Sequence, residues 1–174
     1  MRGFTPTGLN QLWAADITYV RLGHEFVFAA VILELFSRRM VGWAVGPRLE
    51  TELPLAALDQ ALADRQPAPG LVHYSDQGTQ YASNKYVNKL RENGVGISMI
   101  RKGNPYDNAL AESFMKTLKT EEVDCNEYAT LAEVQVEIGS FIEVAYNRKR
   151  LHSALKYVSP VDFEKAFGER QTAA

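Results

Sequence analysis

The amino-acid sequence predicts one α/β domain in which helices flank a five-stranded mixed sheet. Its 174 residues, 46% of them hydrophobic, are enough to bury one substantial core. The hydrophobic pattern follows the order strand, strand, strand, helix, strand, helix, strand, and then helices only. Because the fourth and fifth strands are each reached through a helical crossover, they are expected to run parallel to their neighbours.

The first three elements are predicted to be antiparallel strands at about 12–21, 25–35 and 39–46. Each stretch is short and rich in residues that favour β-structure. Leu22-Gly23-His24 has the composition of a tight turn between the first two strands.

Helical spacing begins at Thr51, after which Leu55, Leu58, Ala61 and Leu62 recur on one face. The segment 66–70, rich in proline and glycine, is expected to end this helix. Beyond it we expect strands at 71–74 and 96–100, helices at 83–93, 109–123, 131–147 and 160–167, and polar loops at 75–80 and 101–108.

The composition excludes several classes of protein. The longest uncharged apolar stretch, around 26–33, is too short to span a bilayer, and no signal-peptide hydrophobic region follows Met1. Cys125 is the single cysteine, which excludes an internal disulfide and a cysteine-based zinc cluster and fits a reducing cytoplasm. The formal net charge of −2 does not indicate nucleic-acid binding, so such a function would need a local basic surface.

Three acidic residues occupy positions where a carboxylate points to a bound cation. Asp16 lies in an otherwise apolar strand, where its burial without a partner would be unfavourable. Asp76 directly follows a short strand, at the carboxyl end where open α/β sheets usually bind ligands. Glu112 points away from the apolar stripe of its helix, with Lys116 and Lys119 on its own face. Carboxylates from three separate elements could hold two Mg²⁺ or Mn²⁺ ions at roughly 3.5–4 Å, the spacing used for phosphoryl displacement.

Each acid also has an ordinary structural explanation. Asp16 could accept backbone hydrogen bonds at a strand end, and Asp76 could form a turn. Glu112 and Lys116 could be a surface ion pair on one helix. Only the joint pattern of the three acids favours a metal site.

Four sequence blocks contain these acids and span nearly the whole chain. They are Trp13-x-x-Asp16-Ile17-Thr18-Tyr19, Ser75-Asp76-Gln77-Gly78-Thr79-Gln80-Tyr81-Ala82-Ser83, Gly103-Asn104-Pro105-Tyr106-Asp107-Asn108-Ala109 leading to Glu112-Ser113-Phe114, and Tyr146-Asn147 with Arg150, His152-Ser153, Leu155, Tyr157 and Ser159-Pro160. Thirty-five residues, 77 to 111, separate Asp76 from Glu112. In these blocks and this interval the chain resembles the DDE transposases of the insertion-sequence-three family, whose catalytic core is similar to retroviral integrase and has the ribonuclease H-like fold.

The chain departs from the family pattern at three positions, none of them one of the three acids. Tyr74 stands between His73 and Ser-Asp, where the family often has His. Gln77 occupies a position where Arg is frequent, and Lys156 one where Gly is frequent.

The resemblance implies a single integrase-type catalytic core domain over 1–174, with an amino-terminal extension at about 1–11 and a carboxy-terminal helix and tail at about 160–174. It implies phosphodiester cleavage and DNA strand transfer in the transposition of an insertion sequence. The catalytic and metal-binding residues would be Asp16, Asp76 and Glu112 with two Mg²⁺ or Mn²⁺ ions. Asp16 would bridge both ions and each other acid would complete one, activating first water and then a DNA 3′-hydroxyl.

The resemblance also implies partners and a location. The partners would be transposon-end DNA, target DNA and further copies of the chain in a homo-oligomer on DNA, with no membrane, in the bacterial cytoplasm and at the nucleoid during the reaction. About a dozen residues precede Trp13, too few for the helix-turn-helix region that family members usually carry upstream. We therefore expect that region, and the recognition of transposon ends, to be missing from this chain.

Basic residues cluster after position 100 and predict a DNA-binding surface. Alternatively, the charges at 148–150 could simply complement the dipole of a helix end. Tyr146 and Asn147 are expected to pack and to cap. The candidate DNA-binding residues are Arg101, Lys102, Lys116, Lys119, Arg148, Arg150 and His152.

Three other functions compete with a transposase. A tyrosine recombinase would use Arg, His and Tyr without metal, but it would place Arg three residues after His152, where Leu155 stands. A truncated or inactive remnant could bind only DNA or protein, although its three acids are intact. A ribonuclease H-like nuclease could hydrolyse DNA without strand transfer.

Overall fold

The computed structural model describes residues 5–76, 78–99 and 105–172. A five-stranded sheet in the order β3-β2-β1-β4-β5 forms the centre of this part of the chain. The strands are β1 (Leu12–Leu22), β2 (Glu25–Glu34), β3 (Met40–Gly46), β4 (Val72–Ser75) and β5 (Gly96–Met99).

The first three strands form an antiparallel meander, as predicted. β1 pairs with β2 from Trp13 opposite Glu34 to Leu22 opposite Glu25. Gly23 turns the chain between them with a φ of 60°, a left-handed conformation that glycine adopts without steric penalty. β2 then pairs with β3 in the same antiparallel sense.

β4 and β5 join the other side of β1 in parallel, as the crossovers predicted. Leu12 lies opposite Val72 and Ala14 opposite Tyr74. β5 continues the parallel pairing along β4. This topology puts the carboxyl end of β4 beside the middle of β1.

The described residues contain five α-helices, of which the first four pack on the faces of the sheet. A π-helical segment at Phe141–Lys149 continues the fourth helix, and the fifth packs against that segment. Single 3₁₀ turns occur at Val123–Cys125 and Ser153–Leu155. Among the described residues, no helix combines the length and apolar character needed to cross a membrane. The α-helices are α1 (Glu52–Arg65), α2 (Asn84–Glu92), α3 (Pro105–Glu121), α4 (Leu131–Ser140) and α5 (Pro160–Thr172).

Alternate residues of β1 enter two separate cores. Leu12 and Ala14 pack on the face covered by α3, α4 and the π-helical segment. Trp13, with no exposed surface, and Ala15 pack on the face covered by α1 and α2. The alternation follows from the two-residue period of a strand.

Helix boundaries differ from the sequence-based expectation in three places. α3 begins at Pro105 rather than at 109, since proline is favoured in the first turn of a helix, where its missing N–H is not needed. The helix expected at 131–147 is α-helical only to Ser140, and the π-helical segment follows. α5 continues to Thr172 rather than ending at 167. Positions 100–104 of the expected strand end and loop lie outside the described residues.

α5 is fixed to the sheet by a buried carboxylate. Glu164 accepts two hydrogen bonds of 2.8 Å from the Arg65 guanidinium and one of 2.6 Å from Arg39. The Ser37 hydroxyl lies 2.8 Å from the same carboxylate. Two arginines lower the pKa of Glu164 although its burial opposes this, so the charged form is stabilised.

Candidate active site

Asp16 lies near the middle of β1, on the strand face that also carries Leu12 and Ala14. This face is the one that α3 covers. The side chain is half-buried, and its Oδ1 accepts a hydrogen bond of 2.8 Å from the Ile17 N–H. The carboxylate therefore has a local backbone donor and faces the layer that contains Glu112.

Asp76 follows the last residue of β4. Extending the parallel register by two residues puts it opposite Asp16, on strands that lie about 4.8 Å apart. Its Oδ1 accepts a hydrogen bond of 3.0 Å from the Gly78 N–H. A Cβ at Gly78 would lie 2.9 Å from that oxygen, so a larger residue there would require the Asp76 side chain to shift. Asp76 thus forms a turn and still presents an exposed carboxylate beside β1.

Glu112 lies in α3 on the side opposite its buried residues. Phe114 and Leu118 are buried in the core, whereas Glu112 and Lys116 are exposed. Lys119, on the same side, is half-buried, and its ammonium lies 4.4 Å from the centre of the Tyr19 ring. The predicted face of one acid and two bases is confirmed.

The pKa of Asp16 connects the three acids. It is raised to about 6, mainly because burial disfavours the charged carboxylate. The Ile17 hydrogen bond lowers it, the negative charges of Asp76 and Glu112 raise it, and Lys119 lowers it. Asp76, Glu112 and Lys119 therefore all lie within electrostatic reach of Asp16.

Asp16 and Asp76 line one pocket of about 190 Å³, together with Tyr19, Gln80 and Tyr81. The Tyr81 hydroxyl is buried and has no hydrogen-bond partner in the described part of the chain. Burial raises the pKa of Tyr81 well above its ordinary value, and the charges of Tyr86, Asp16 and Asp76 add to this. The phenol is therefore a neutral donor beside two carboxylates, a role that no pattern in the sequence indicated.

The donor set fits a hard divalent cation. The three acids offer only carboxylate oxygens, the ligands that Mg²⁺ and Mn²⁺ prefer. Within residues 5–76, 78–99 and 105–172, no three His, Cys, Asp or Glu side chains are yet close enough to hold one metal ion. After burial, the negative charges of Asp76 and Glu112 also raise the pKa of Asp16, and a divalent cation bound between the acids would offset this repulsion.

Two models of the integrase core domain match the chain, one over residues 6–105 and the other over residues 93–160. The chain belongs to the integrase core domain family.

This integrase core is similar to bacterial transposases. The transposase for insertion sequence element IS904 of Lactococcus lactis subsp. lactis (strain IL1403) is 45% identical over 162 residues, which cover 93% of this chain and 64% of the relative. The transposase InsF for insertion sequence IS3A of Escherichia coli (strain K12) is 37% identical over 161 residues, which cover 92% of this chain and 56% of the relative. The chain thus spans less than two thirds of the length of these relatives, and the predicted resemblance to insertion-sequence-three transposases is confirmed.

Solved retroviral integrases share the fold. The HTLV-2 integrase catalytic core domain, solved in complex with magnesium, matches with a TM-score of 0.66 and 15% identity over 94% of this chain and 99% of that one. A simian T-cell lymphotropic virus intasome, solved in complex with PP2A regulatory subunit B56 gamma, matches with a TM-score of 0.72 and 18% identity. The match covers 94% of this chain and 58% of that one. The predicted ribonuclease H-like fold is confirmed.

The remaining candidate DNA-binding residues of the integrase core lie in different environments. Arg148 is exposed at the end of the π-helical segment. Arg150 is half-buried and forms an ion pair with Glu121, its Nη1 lying 2.5 and 2.6 Å from the two carboxylate oxygens. The His152 ring is half-buried against Tyr146. Arg101 and Lys102 lie outside the described residues.

Two other polar residues have structural roles. His73 has no exposed surface and packs within β4, with its Nε2 2.9 Å from the Tyr86 hydroxyl. Burial lowers the pKa of His73 to about 4, so the ring is neutral.

Asn147 was expected to pack or to cap a helix. It is buried, but its amide pairs with the backbone N–H and C=O of Met40 at the start of β3, both at 2.9 Å.

Proposed function

We propose that this chain is the catalytic core of an insertion-sequence transposase, which cleaves a DNA phosphodiester and transfers the resulting strand. The carrying observation is that Asp16 and Asp76 line one pocket beside the carboxyl end of β4, with Glu112 close enough for its charge to act on Asp16. Membership of the integrase core domain family and the similarity to named transposases support this assignment.

Asp16, Asp76 and Glu112 would together hold the divalent metal, Mg²⁺ or Mn²⁺, at this site. The all-oxygen donor set supports these metals, and magnesium accompanies the HTLV-2 catalytic core of the same fold. When bound, such ions lower the pKa of an attacking water or hydroxyl and stabilise charge on the leaving oxygen.

The chain's own residues would position the DNA around this chemistry. The Tyr81 hydroxyl is a buried donor beside Asp16 and Asp76, suited to a non-bridging phosphate oxygen. The Lys119 ammonium, held over Tyr19, is suited to a neighbouring phosphate. Both groups would hold the phosphodiester in line for attack and contribute no covalent bond.

Two successive displacements at phosphorus would follow. In the first, a water oxygen bonds to phosphorus and the bond to the 3′ oxygen breaks, which leaves a free 3′-hydroxyl. In the second, that hydroxyl bonds to a target phosphorus, gives its proton to solvent, and displaces the target strand's 3′ oxygen, which takes up a proton. No covalent enzyme intermediate is required.

The proposed partners are DNA at transposon ends and at the target, and further copies of the chain. Because the relatives are bacterial transposases, the reaction would occur on the bacterial nucleoid. The competing nuclease function predicts only the first displacement, and a non-catalytic remnant predicts neither.

A branched oligonucleotide that mimics the strand-transfer product tests this proposal. Strand transfer exchanges one phosphodiester for another and is therefore reversible, so a transferase should resolve the branch into a rejoined strand with Mn²⁺. Asp16→Asn, Asp76→Asn and Glu112→Gln should each reduce the rate at least about 100-fold, because each removes charge at the metal with little change in shape.

Glu127→Gln is the matched control, because Glu127 is exposed in a loop away from the site. This variant should retain the rate of the unaltered chain. Release of a nicked strand without rejoining would favour the nuclease function. Rejoining by Glu112→Gln at the unaltered rate would remove Glu112 from the active site.

A further inference from the structure

A second pocket, of about 290 Å³, lies beside a different side of α3. Helix α3 contributes Ser113 and Thr117, about 100° and 140° around the helix axis from Glu112. Arg38, from the turn between β2 and β3, and His152 line the opposite wall. The lining therefore combines residues distant in sequence, and most of its polar groups are donors.

Arg38 is held in this pocket at an energetic cost. Its φ of 63° is left-handed, a conformation in which glycine or asparagine is favoured over arginine. The side chain is half-buried, and burial lowers the pKa of the guanidinium. Among the described residues, no hydrogen bond or ion pair holds this guanidinium, and Glu34 acts on it only through its charge. A buried charge without a close partner is unfavourable unless a ligand supplies one.

Two further donors converge on the same space. His152 has a buried Nε2 with no partner in the described part of the chain. Burial and the charges of Arg150 and Arg38 lower the pKa of His152, which shows that both arginines lie close to the ring. Both also act on the Tyr146 phenol. Glu121 orients Arg150 and offsets part of its charge.

We propose that this pocket binds a backbone phosphate of DNA, with Arg38 as its principal ligand and Arg150 and His152 as supporting donors. A planar guanidinium binds two phosphate oxygens at once, which suits a phosphodiester. The exposed hydroxyl of Ser113 adds a neutral donor on the α3 side. The assignment rests on the proposed DNA-transfer function and adds a second contact between the chain and DNA, separate from the three acids.

The position of the pocket defines a path for one strand. Lys116 and Lys119 lie on the Glu112 side of α3, and the pocket lies on the adjacent side. An α-helix is about 10 Å wide, and successive phosphates of one strand rise about 3.4 Å along duplex DNA. A strand crossing α3 would therefore place one phosphate at the acids and a nearby phosphate of the same strand in the pocket.

The test compares DNA binding by the unaltered chain, Arg38→Asn and Arg91→Gln over a range of salt concentrations, with a random-sequence duplex and a chelator present. Asparagine tolerates the left-handed backbone of position 38, and Arg91 is an exposed arginine at the end of α2. Arg38→Asn should bind about tenfold more weakly, with the slope of log K against log salt smaller by about 0.9, the value for one phosphate contact. Arg38→Lys should keep the slope, and Arg91→Gln should keep both slope and affinity.

Histidine ring NMR supplies a readout in the unaltered chain. The sequence has three histidines, of which His24 is exposed at a turn, His73 is buried and His152 lines the pocket. The duplex should shift the His152 ring resonances and leave those of His73 in place. Arg38→Asn should lose the His152 shift.

Three results would overturn the assignment. Equal slopes and affinities for Arg38→Asn and Arg91→Gln, with binding by the unaltered chain intact, would refute the pocket and leave the proposed function standing. No binding of the duplex by the unaltered chain would refute both. An equal His152 shift with inorganic phosphate, without any effect of Arg38→Asn on duplex binding, would make the pocket a site for small anions rather than for DNA.

Discussion

At Asp16, burial and two neighbouring carboxylates act in the same direction and disfavour the charged form. The three acids were predictable because their residue types and spacing form a recognisable pattern. Tyr81 and Arg38 were not predictable, because each has a polar group without a partner among the described residues, and only three-dimensional packing reveals this. Sequence motifs therefore identified the proposed ligands and several basic residues around them, but not Tyr81 or Arg38 as donors.

Replacing Asp16 with asparagine should stabilise the metal-free chain at neutral pH. The pKa of Asp16 is about 6 in the folded chain against an ordinary value of 3.8, so between these values the folded state retains a proton that the unfolded state releases. The free energy of unfolding contributed by this group therefore falls as pH rises from about 4 to 6 and stays low above 6. The free energy of unfolding of Asp16→Asn should exceed that of the unaltered chain by on the order of 3 kcal/mol at pH 7.5. Near pH 4 the two free energies should be nearly equal.

Urea unfolding with a chelator at several pH values measures this difference. Asp64→Asn is the control, because Asp64 is exposed on α1. If Asp16→Asn has the same pH profile as Asp64→Asn, then neither burial nor the neighbouring acids raise the pKa of Asp16.

At the level of elements, the strands and most helices followed from hydrophobic periodicity, whereas the π-helical segment did not. Phe141 and Tyr146 are both buried and five residues apart, as are Ile142 and Asn147. A five-residue repeat over nine positions differs too little from α-helical spacing to be recognised in a sequence. The wider turns bring Asn147 inward to β3, where sequence reasoning expected packing or a helix cap.

Asn147 should be needed for stability because it pairs with the first residue of β3. Asn147→Leu leaves the N–H and C=O of Met40 without partners in a buried site. The free energy of unfolding should fall by about 2–4 kcal/mol. Denaturant unfolding measures this, with Asn126→Leu in an exposed turn as a control that should change it by less than about 0.5 kcal/mol. A loss no larger than that of the control would show that this pairing does not stabilise β3.

For the whole molecule, the sheet topology explains why acids from distant parts of the sequence meet. The parallel β1–β4 pairing brings Asp76 beside Asp16, and α3 packs over β1 with Glu112 on its outer side. The sequence predicted the crossovers that make these strands parallel. It could not predict that β4 would pair with β1, or that a basic pocket would form between α3 and the β2–β3 turn, because both depend on which elements pack together.

The central claim is that Asp16, Asp76 and Glu112 form one site for divalent metal, and thermal unfolding with and without Mn²⁺ tests it most directly. Without metal, the Asp16→Asn/Asp76→Asn double variant should be more stable than the unaltered chain at pH 7.5, because it removes the cost of burying a charged carboxylate at position 16 and also the repulsion from Asp76. Saturating Mn²⁺ should stabilise the unaltered chain, by about 2.7 kcal/mol at 100 times the dissociation constant, and should leave the double variant nearly unchanged. Adding Mn²⁺ should therefore raise the melting temperature of the unaltered chain towards that of the double variant, or above it. An equal response of both proteins to Mn²⁺ would contradict the metal site.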